Sequence, residues 1–253
     1  MITIADDLAA ALDPTSIFRR AIGQPDPWQV QSMSAPGDLL LNCSRQSGKS
    51  TTTAARAVHR AVYHPGSLAL CISPSQRQST ELFEKVGEVF RKAETGIAIT
   101  AESAVRLKLA NGSRVLSLPG SEATVRGFSA PDLILIDEAA RVSDELYVAL
   151  RPMLATVAAG SLVALSTPWG RRGFFCEAWH SSEPWTRLRV PATDCPRISA
   201  EFLDRERAAM SEWQFRQEYL CAFSANIEGA FDPDLIRAAV SVDVSSLFGR
   251  RAA

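Results

Sequence analysis

Short apolar runs alternate with amphipathic stretches along this chain. Leu39-Leu-Leu-Asn42, Leu68 to Ser73, Leu133-Ile-Leu-Ile136 and Ser161 to Ser166 are nearly continuous apolar runs. They are too short for helices and have the composition of strands buried on both faces of a parallel sheet. Lys49 to about His64 reads as a helix stopped by Pro65-Gly66. From Ser75 to about Ala93, Leu82, Phe83, Val86, Val89 and Phe90 recur at helical spacing, and a further helix is predicted from Val142 to Ala155. Residues 97–127 break the alternation. They predict a small β region with a turn at Asn111-Gly112. The whole pattern is that of an α/β fold with a mainly parallel central sheet between helical layers. After about Pro191 the character changes. Residues 198–220 are helical in pattern, rich in Arg and Glu and free of Lys, which predicts a small C-terminal helical subdomain. The polar stretch beyond it reads as a linker.

Composition narrows the class. With 253 residues, 46% hydrophobic and 22% charged, the chain excludes disordered, collagen-like and fibrous proteins. The formal net charge of −1 means that bulk charge does not hold a nucleic acid. Such binding would rest on a local patch or a ring of copies. The first 18 residues carry three Asp and no basic residue, unlike a secretory signal. No apolar run approaches the ~20 residues that cross a bilayer, so no membrane partner is expected. The five Cys are widely spaced without a CxxC or Cys/His cluster. They predict reduced thiols in a cytosol-like compartment rather than disulfides or zinc.

The chemistry starts at Cys43-Ser-Arg-Gln-Ser-Gly-Lys-Ser50, between a predicted strand and a predicted helix. Its spacing is that of G-x-x-x-x-G-K-[ST], with Cys43 in place of the first Gly. Backbone N–H groups of Ser44, Arg45, Gln46, Ser47, Gly48, Lys49, Ser50 and Thr51, at a helix N-terminus, would cradle phosphate oxygens. In this pattern Gly48 permits close approach, Lys49 reaches the β- and γ-phosphates of ATP, and the Ser50 hydroxyl ligates Mg²⁺. About 90 residues on, Leu133-Ile-Leu-Ile136 delivers Asp137 and Glu138 at a strand end. Ligands of open α/β sheets bind at that edge. Asp137 would complete the Mg²⁺ shell and Glu138 would polarise the attacking water.

Other groups are placed less firmly by spacing. Ser166 and Thr167 end a third strand and could sense the γ-phosphate, or simply form a polar turn before Pro168. Arg45, inside the loop, and Arg126, before Gly127, are each a candidate for the arginine that stabilises a transferring phosphoryl group, in cis or from a neighbour; the other reading of each is a surface ion pair. Gln29 is either an adenine contact or a surface glutamine, and Trp28 beside it stacks or packs.

Together these pieces resemble the ATPase domain of the phage large terminase. The matching segments are Pro27-Trp-Gln29, Ser44 to Ser50, Ser73-Pro-Ser75, Arg126-Gly-Phe-Ser129, Leu135-Ile-Asp-Glu-Ala-Ala140, Ser166-Thr-Pro168 with Gly170, and Trp213-Gln-Phe-Arg-Gln-Glu-Tyr219. They run in family order over about 200 residues. The resemblance implies a P-loop NTPase core of ASCE type in three layers, over residues 1–194, with a lid subdomain at 195–235. Residues 236–253 would be a linker toward an absent nuclease domain, so DNA cutting is not expected of this chain. It further implies Mg-dependent ATP hydrolysis that drives double-stranded DNA into a viral capsid. The implied setting is a homo-oligomeric ring, typically five subunits, on the portal protein. A small terminase subunit is a further implied partner, and the location is the bacterial host cytoplasm and, transiently, the procapsid. In that scheme Arg126 reaches the neighbouring subunit's ATP, and Ser166-Thr167 couple hydrolysis to movement. Other classes fit part of the pattern. A helicase-type DNA/RNA-dependent ATPase would need a second RecA-like half. A nucleotide-dependent binding module would not need Glu138 beside Asp137.

Overall fold

The computed structural model describes residues 3–121, 125 and 127–224. Its centre is one eight-stranded sheet. In chain order the strands are β1 (Leu39–Cys43), β2 (Leu68–Ser73), β3 (Ile99–Ser103), β4 (Arg106–Leu109), β5 (Arg114–Pro119), β6 (Leu133–Asp137), β7 (Ser161–Ser166) and β8 (Thr186–Val190), in spatial order β3-β4-β5-β2-β6-β7-β1-β8. The six strands from β5 to β8 run parallel, and β3 and β4 extend one edge as antiparallel strands.

The predicted two-sided burial is present residue by residue. Leu39, Leu41, Ala69, Cys71, Leu133, Leu135, Val163 and Leu165 face one core, and Leu40, Leu70, Ile72, Ile134, Ile136, Leu162 and Ala164 face the other. This is the period-2 alternation of a strand, with both faces apolar because both are covered. The first core is covered by α2 (Ser16–Ala21), α3 (Pro27–Ser34), α4 (Lys49–Tyr63) and α5 (Gln76–Lys92), with α1 (Ile4–Leu12) packed outside it against α2. The second is covered by α6 (Asp144–Leu150) and α7 (Gly173–His180). The expected three-layer α/β architecture is therefore the observed one.

Local chemistry sets the element ends. Ser75 accepts from the Gln78 N–H and Ser143 from the Leu146 N–H, which fixes the starts of α5 and α6. The helix predicted to Ala155 ends instead at Leu150 and continues as a 3₁₀ turn over Arg151–Leu154, because Pro152 cannot donate to the α-helical ladder. The C-terminal segment is two helices rather than one, α8 (Ala200–Ala209) and α9 (Glu212–Glu218). Each has its own serine cap, Ser199 and Ser211. Ala192, Leu203, Phe215 and Tyr219 form a third, small apolar cluster around them. Strand β8, α1, α2 and α7 are elements the sequence pattern did not predict. In β8 the apolar signal is interrupted by Arg187 and Arg189. The Arg187 guanidinium donates to the carbonyls of Ala178, Trp179 and Ser181 and so pins the end of α7 to the sheet edge.

Phe175 is fully buried in the second core, on the far side of the sheet from the α4 layer. Phe175→Ala should cost about 3–5 kcal/mol of stability. Urea denaturation should show a lower midpoint with an unchanged slope; a loss under about 1 kcal/mol would show that the second core does not hold the sheet.

Candidate nucleotide-binding site

Loop 44–48 leaves β1 and enters α4 with two residues in left-handed backbone, Gln46 at φ 58° and Gly48 at φ 94°. The second favours glycine, and a Cβ there would also lie 3.4 Å from both the Arg197 guanidinium and the Gln29 amide. The loop is braced through its carbonyls. The Ser47 hydroxyl donates to the Ser44 carbonyl at 3.0 Å, Arg197 Nη2 donates to the Ser47 carbonyl at 2.9 Å, and both the N–H and hydroxyl of Thr52 donate to the Gly48 carbonyl at 3.0 Å. Its donors are left over. Among the described residues, the N–H groups of Gln46 through Thr51 meet no protein acceptor. Six successive free N–H groups at the start of a 15-residue helix make a concave site of positive potential, completed by Lys49. Cys43 is fully buried beneath the loop, and burial pushes its thiol pKa far up, so it acts here as a small packing residue.

The strand ends bring the predicted partners together. The Ser50 hydroxyl lies 3.4 Å from Asp137 Oδ2, across 87 residues of sequence. Burial pushes the Asp137 carboxyl up, and the Lys49 ammonium opposes that shift. The Glu138 N–H donates to Asp137 Oδ1 at 2.9 Å, and Glu138 itself sits at φ 51°, an uncommon conformation for a side chain of its size. That twist turns the chain off the strand and leaves Glu138 half-buried at the sheet edge. Ser166, at the end of β7, accepts from the Ala140 N–H at 3.2 Å and donates to the Thr167 carbonyl at 2.6 Å. Arg141 lies over the Trp169 ring, 3.8 Å from its centroid. The segments after β6 and β7 are thereby tied to each other.

The structure places the remaining candidates as follows. Arg45 is ion-paired with Glu218 at the end of α9, which raises the guanidinium pKa, and its N–H donates to the Glu218 carbonyl. Gln29 is buried: its Oε1 accepts from the Asp26 N–H at 2.8 Å and its Nε2 donates to Thr52 at 3.0 Å, so it ties the start of α3 to α4 beside Gly48. Trp28 is packed in the core. Arg126 lies outside the described residues. Two residues were not predicted. Arg197 reaches from the C-terminal segment to Ser47 and pairs with Asp26 at 2.9 Å; it lies 150 residues from Ser47 and carries no local signal. Glu218 stands inside Trp213 to Tyr219, a segment that the family resemblance marked without giving a role.

A phosphate-cradling loop, a hydroxyl facing a strand-end carboxylate and a mainly parallel three-layer sheet define a P-loop α/β protein. Residues 40–237 match the family described as terminase large subunit, T4likevirus-type, N-terminal, and the chain belongs to that family. Two large terminase subunits, from Thermus phage G20c and Thermus virus P23-45, are each 26% identical over 235 residues, covering 82% of this chain and 47% of theirs. The chain thus spans about half the length of these curated relatives. The large terminase ATPase domain of Thermus phage P74-26 superposes with a TM-score of 0.72 at 21% identity, covering 81% of this chain and 96% of that one. The HK97 bacteriophage large terminase superposes with a TM-score of 0.68 at 17% identity, covering 84% and 55%. The large terminase of bacteriophage D6E, solved with ADP, gives 0.62 at 11% identity, covering 85% and 53%. These likenesses establish the fold. Among the described residues no helix is long and apolar enough to cross a membrane.

Arg197 braces the loop from outside, so Arg197→Ala should cost about 1 kcal/mol, the net worth of a half-exposed hydrogen bond. Chemical denaturation reads this directly; unchanged stability would show that the contact with Ser47 carries no load.

Proposed function

We propose that this chain is the Mg-dependent ATPase of a large terminase, which hydrolyses ATP to drive double-stranded DNA into a viral capsid. The carrying observation is the convergence of the free N–H cradle, the Ser50–Asp137 pair and Glu138 at one sheet edge. The donor set fits a nucleotide with Mg²⁺. A hydroxyl and one carboxylate leave most of the coordination to phosphates and water, which is how Mg²⁺ is commonly held in such enzymes. Among the described residues no cluster of three or more His, Cys, Asp or Glu offers an all-protein metal cage.

The roles follow from position. The N–H groups of Gln46 to Thr51 and the Lys49 ammonium would bind the phosphates, whereas the N–H groups of Ser44 and Arg45 are taken by the Val190 and Glu218 carbonyls. Ser50 and Asp137 would hold Mg²⁺, which would supply charge neutralisation to the phosphates. Glu138 orients the attacking water and takes up its proton as the bond between the γ-phosphorus and the bridging oxygen breaks. Arg45 would exchange Glu218 for phosphate oxygens. Gln29, at the loop's flank, would meet the adenine side of the nucleotide through its remaining amide hydrogen. Ser166 and Thr167 would pass changes at Glu138 along the tie to Ala140. We assign residues 1–194 to the ATPase core, 195–235 to a lid and 236–253 to a linker; the separate small cluster around α8 and α9 supports the lid. The working assembly is a ring, typically of five, on the portal with the small terminase subunit, in the host cytoplasm and on the procapsid. Arg126 would reach the neighbouring site. No DNA-cutting role is proposed for these residues.

Glu138→Gln should lower ATP turnover by about 10²-fold or more while nucleotide remains bound. Steady-state turnover and retained nucleotide are the two readouts, and turnover within twofold of the parent would remove Glu138 from the reaction. Turnover per chain should also rise with protein concentration, because a neighbour's arginine contributes about 10³–10⁵ in rate. Constant turnover would mean a site complete within one chain and would make Arg45 its catalytic arginine.

A further inference from the structure

One face of the antiparallel extension β3-β4-β5 is apolar and buried toward the middle of β5, at Leu116 and Leu118, and carries a row of exposed cations further out. Leu107, Leu109 and Val115 turn inward to the first core. Their neighbours Arg106, Lys108 and Arg114 point the opposite way and are exposed. Arg106 and Lys108 are two residues apart on β4, about 7 Å along a strand. Lys108 stands directly opposite Arg114 on β5. Like charges directly opposite in an antiparallel pair destabilise the sheet. The usual remedy is a carboxylate. Among the described residues none pairs with any of these three, whereas Arg77, Arg91, Lys92 and Arg151 each have one. On the covered side of the same hairpin Glu102 neutralises Arg91. The three cations line an open groove of about 500 Å³ whose apolar lining includes Val105, 40% exposed, and Phe128, just beyond the Arg126 segment.

We propose that this face holds the phosphate backbone of the DNA duplex during translocation; the inference rests on the DNA-packaging function proposed above. A chain of net charge −1 gains nothing from bulk attraction to a polyanion. A local triad of exposed cations on a rigid sheet, none paired among the described residues, can attract one, and copies around a ring would repeat the contact. Duplex DNA presents closely spaced negative charges that three such cations complement without reading sequence. The surface adjoins the nucleotide site through the chain itself. Strand β5 leads by way of residues 120–132 into β6, which carries Asp137.

The test is fluorescence anisotropy of a labelled 30-base-pair duplex of random sequence with the full chain, from 50 to 300 mM NaCl. The parent is compared with R106Q/K108Q/R114Q and with R77Q/R91Q/K92Q, which removes the same charge from α5 on the other side of the sheet. The first variant should bind at least about tenfold more weakly. The slope of log affinity against log salt should be shallower by about 2 to 3, since each phosphate contact contributes about 0.9. ATP turnover without DNA and the circular dichroism spectrum should match the parent, and the α5 variant should keep the parental slope. Should the triple variant fold poorly, K108Q and R114Q singly should each lower the slope by about 0.9. Equal affinity and slope in parent and R106Q/K108Q/R114Q would overturn the proposal, as would an equal loss in the α5 variant. Unchanged DNA binding with lost self-association would also overturn it and assign the face to an acidic protein partner. A parent that hydrolyses ATP yet binds no duplex at 50 mM salt would defeat the packaging function itself, and this surface with it.

Discussion

Everything at the candidate site depends on the burial of both faces of the central sheet. Strands β1, β2 and β7 have no exposed residue along their length. A polar side chain inside them must find a partner or be excluded. Asn42 meets this in part: its side-chain N–H donates to the Cys221 carbonyl at 3.0 Å, while its Oδ1 and the hydroxyls of Ser73 and Ser161 find no partner among the described residues. Functional groups therefore collect where the strands end. Parallel pairing places those ends on one edge, so Ser44, Asp137 and Ser166 arrive together though they are distant in sequence. The apolar strands and the polar site are two consequences of one arrangement.

The phosphate loop has a second support that does not come from the sheet. The C-terminal segment grips it from outside, with Arg197 on the Ser47 carbonyl, Glu218 on Arg45, and the Cys221 carbonyl on Asn42 just before the loop. The carbonyls of Ser44, Ser47 and Gly48 are thus satisfied by protein while the N–H groups from Gln46 to Thr51 stay free among the described residues. That division makes it an anion cradle rather than an ordinary turn. It also means that whatever moves α8 and α9 acts directly on Arg45.

Much of this was legible in the sequence because it rests on local patterns. The apolar strand runs, the loop spacing and the Asp137-Glu138 pair each declare themselves within a few residues, and the structure brings Ser50 and Asp137 together as that pattern required. What spacing did not reveal depends on distant partners. Strand β8 alternates Arg with apolar residues because it lies at the sheet edge, which weakens its signal. Arg197 acts 150 residues from its contact. The sequence leaves Gln29 as a surface residue or an adenine contact; its burial, which rules out the first, comes from the capping arrangement with Asp26 and the contact with Thr52. That Lys108 and Arg114 have no carboxylate partner among the described residues matters only once register sets the two opposite each other.

We propose that Ser50 and Asp137 hold one Mg²⁺ beside bound nucleotide, and everything else at the site turns on it. The most direct measurement is the affinity for a non-hydrolysable ATP analogue, with and without Mg²⁺, in the parent, S50A, D137N and the double variant. Mg²⁺ should tighten binding to the parent by at least about tenfold, or 1.4 kcal/mol. Either single substitution should abolish that gain, and the double should be no worse than D137N alone. Binding to the parent that ignores Mg²⁺, or losses in the two single variants that simply add, would contradict it.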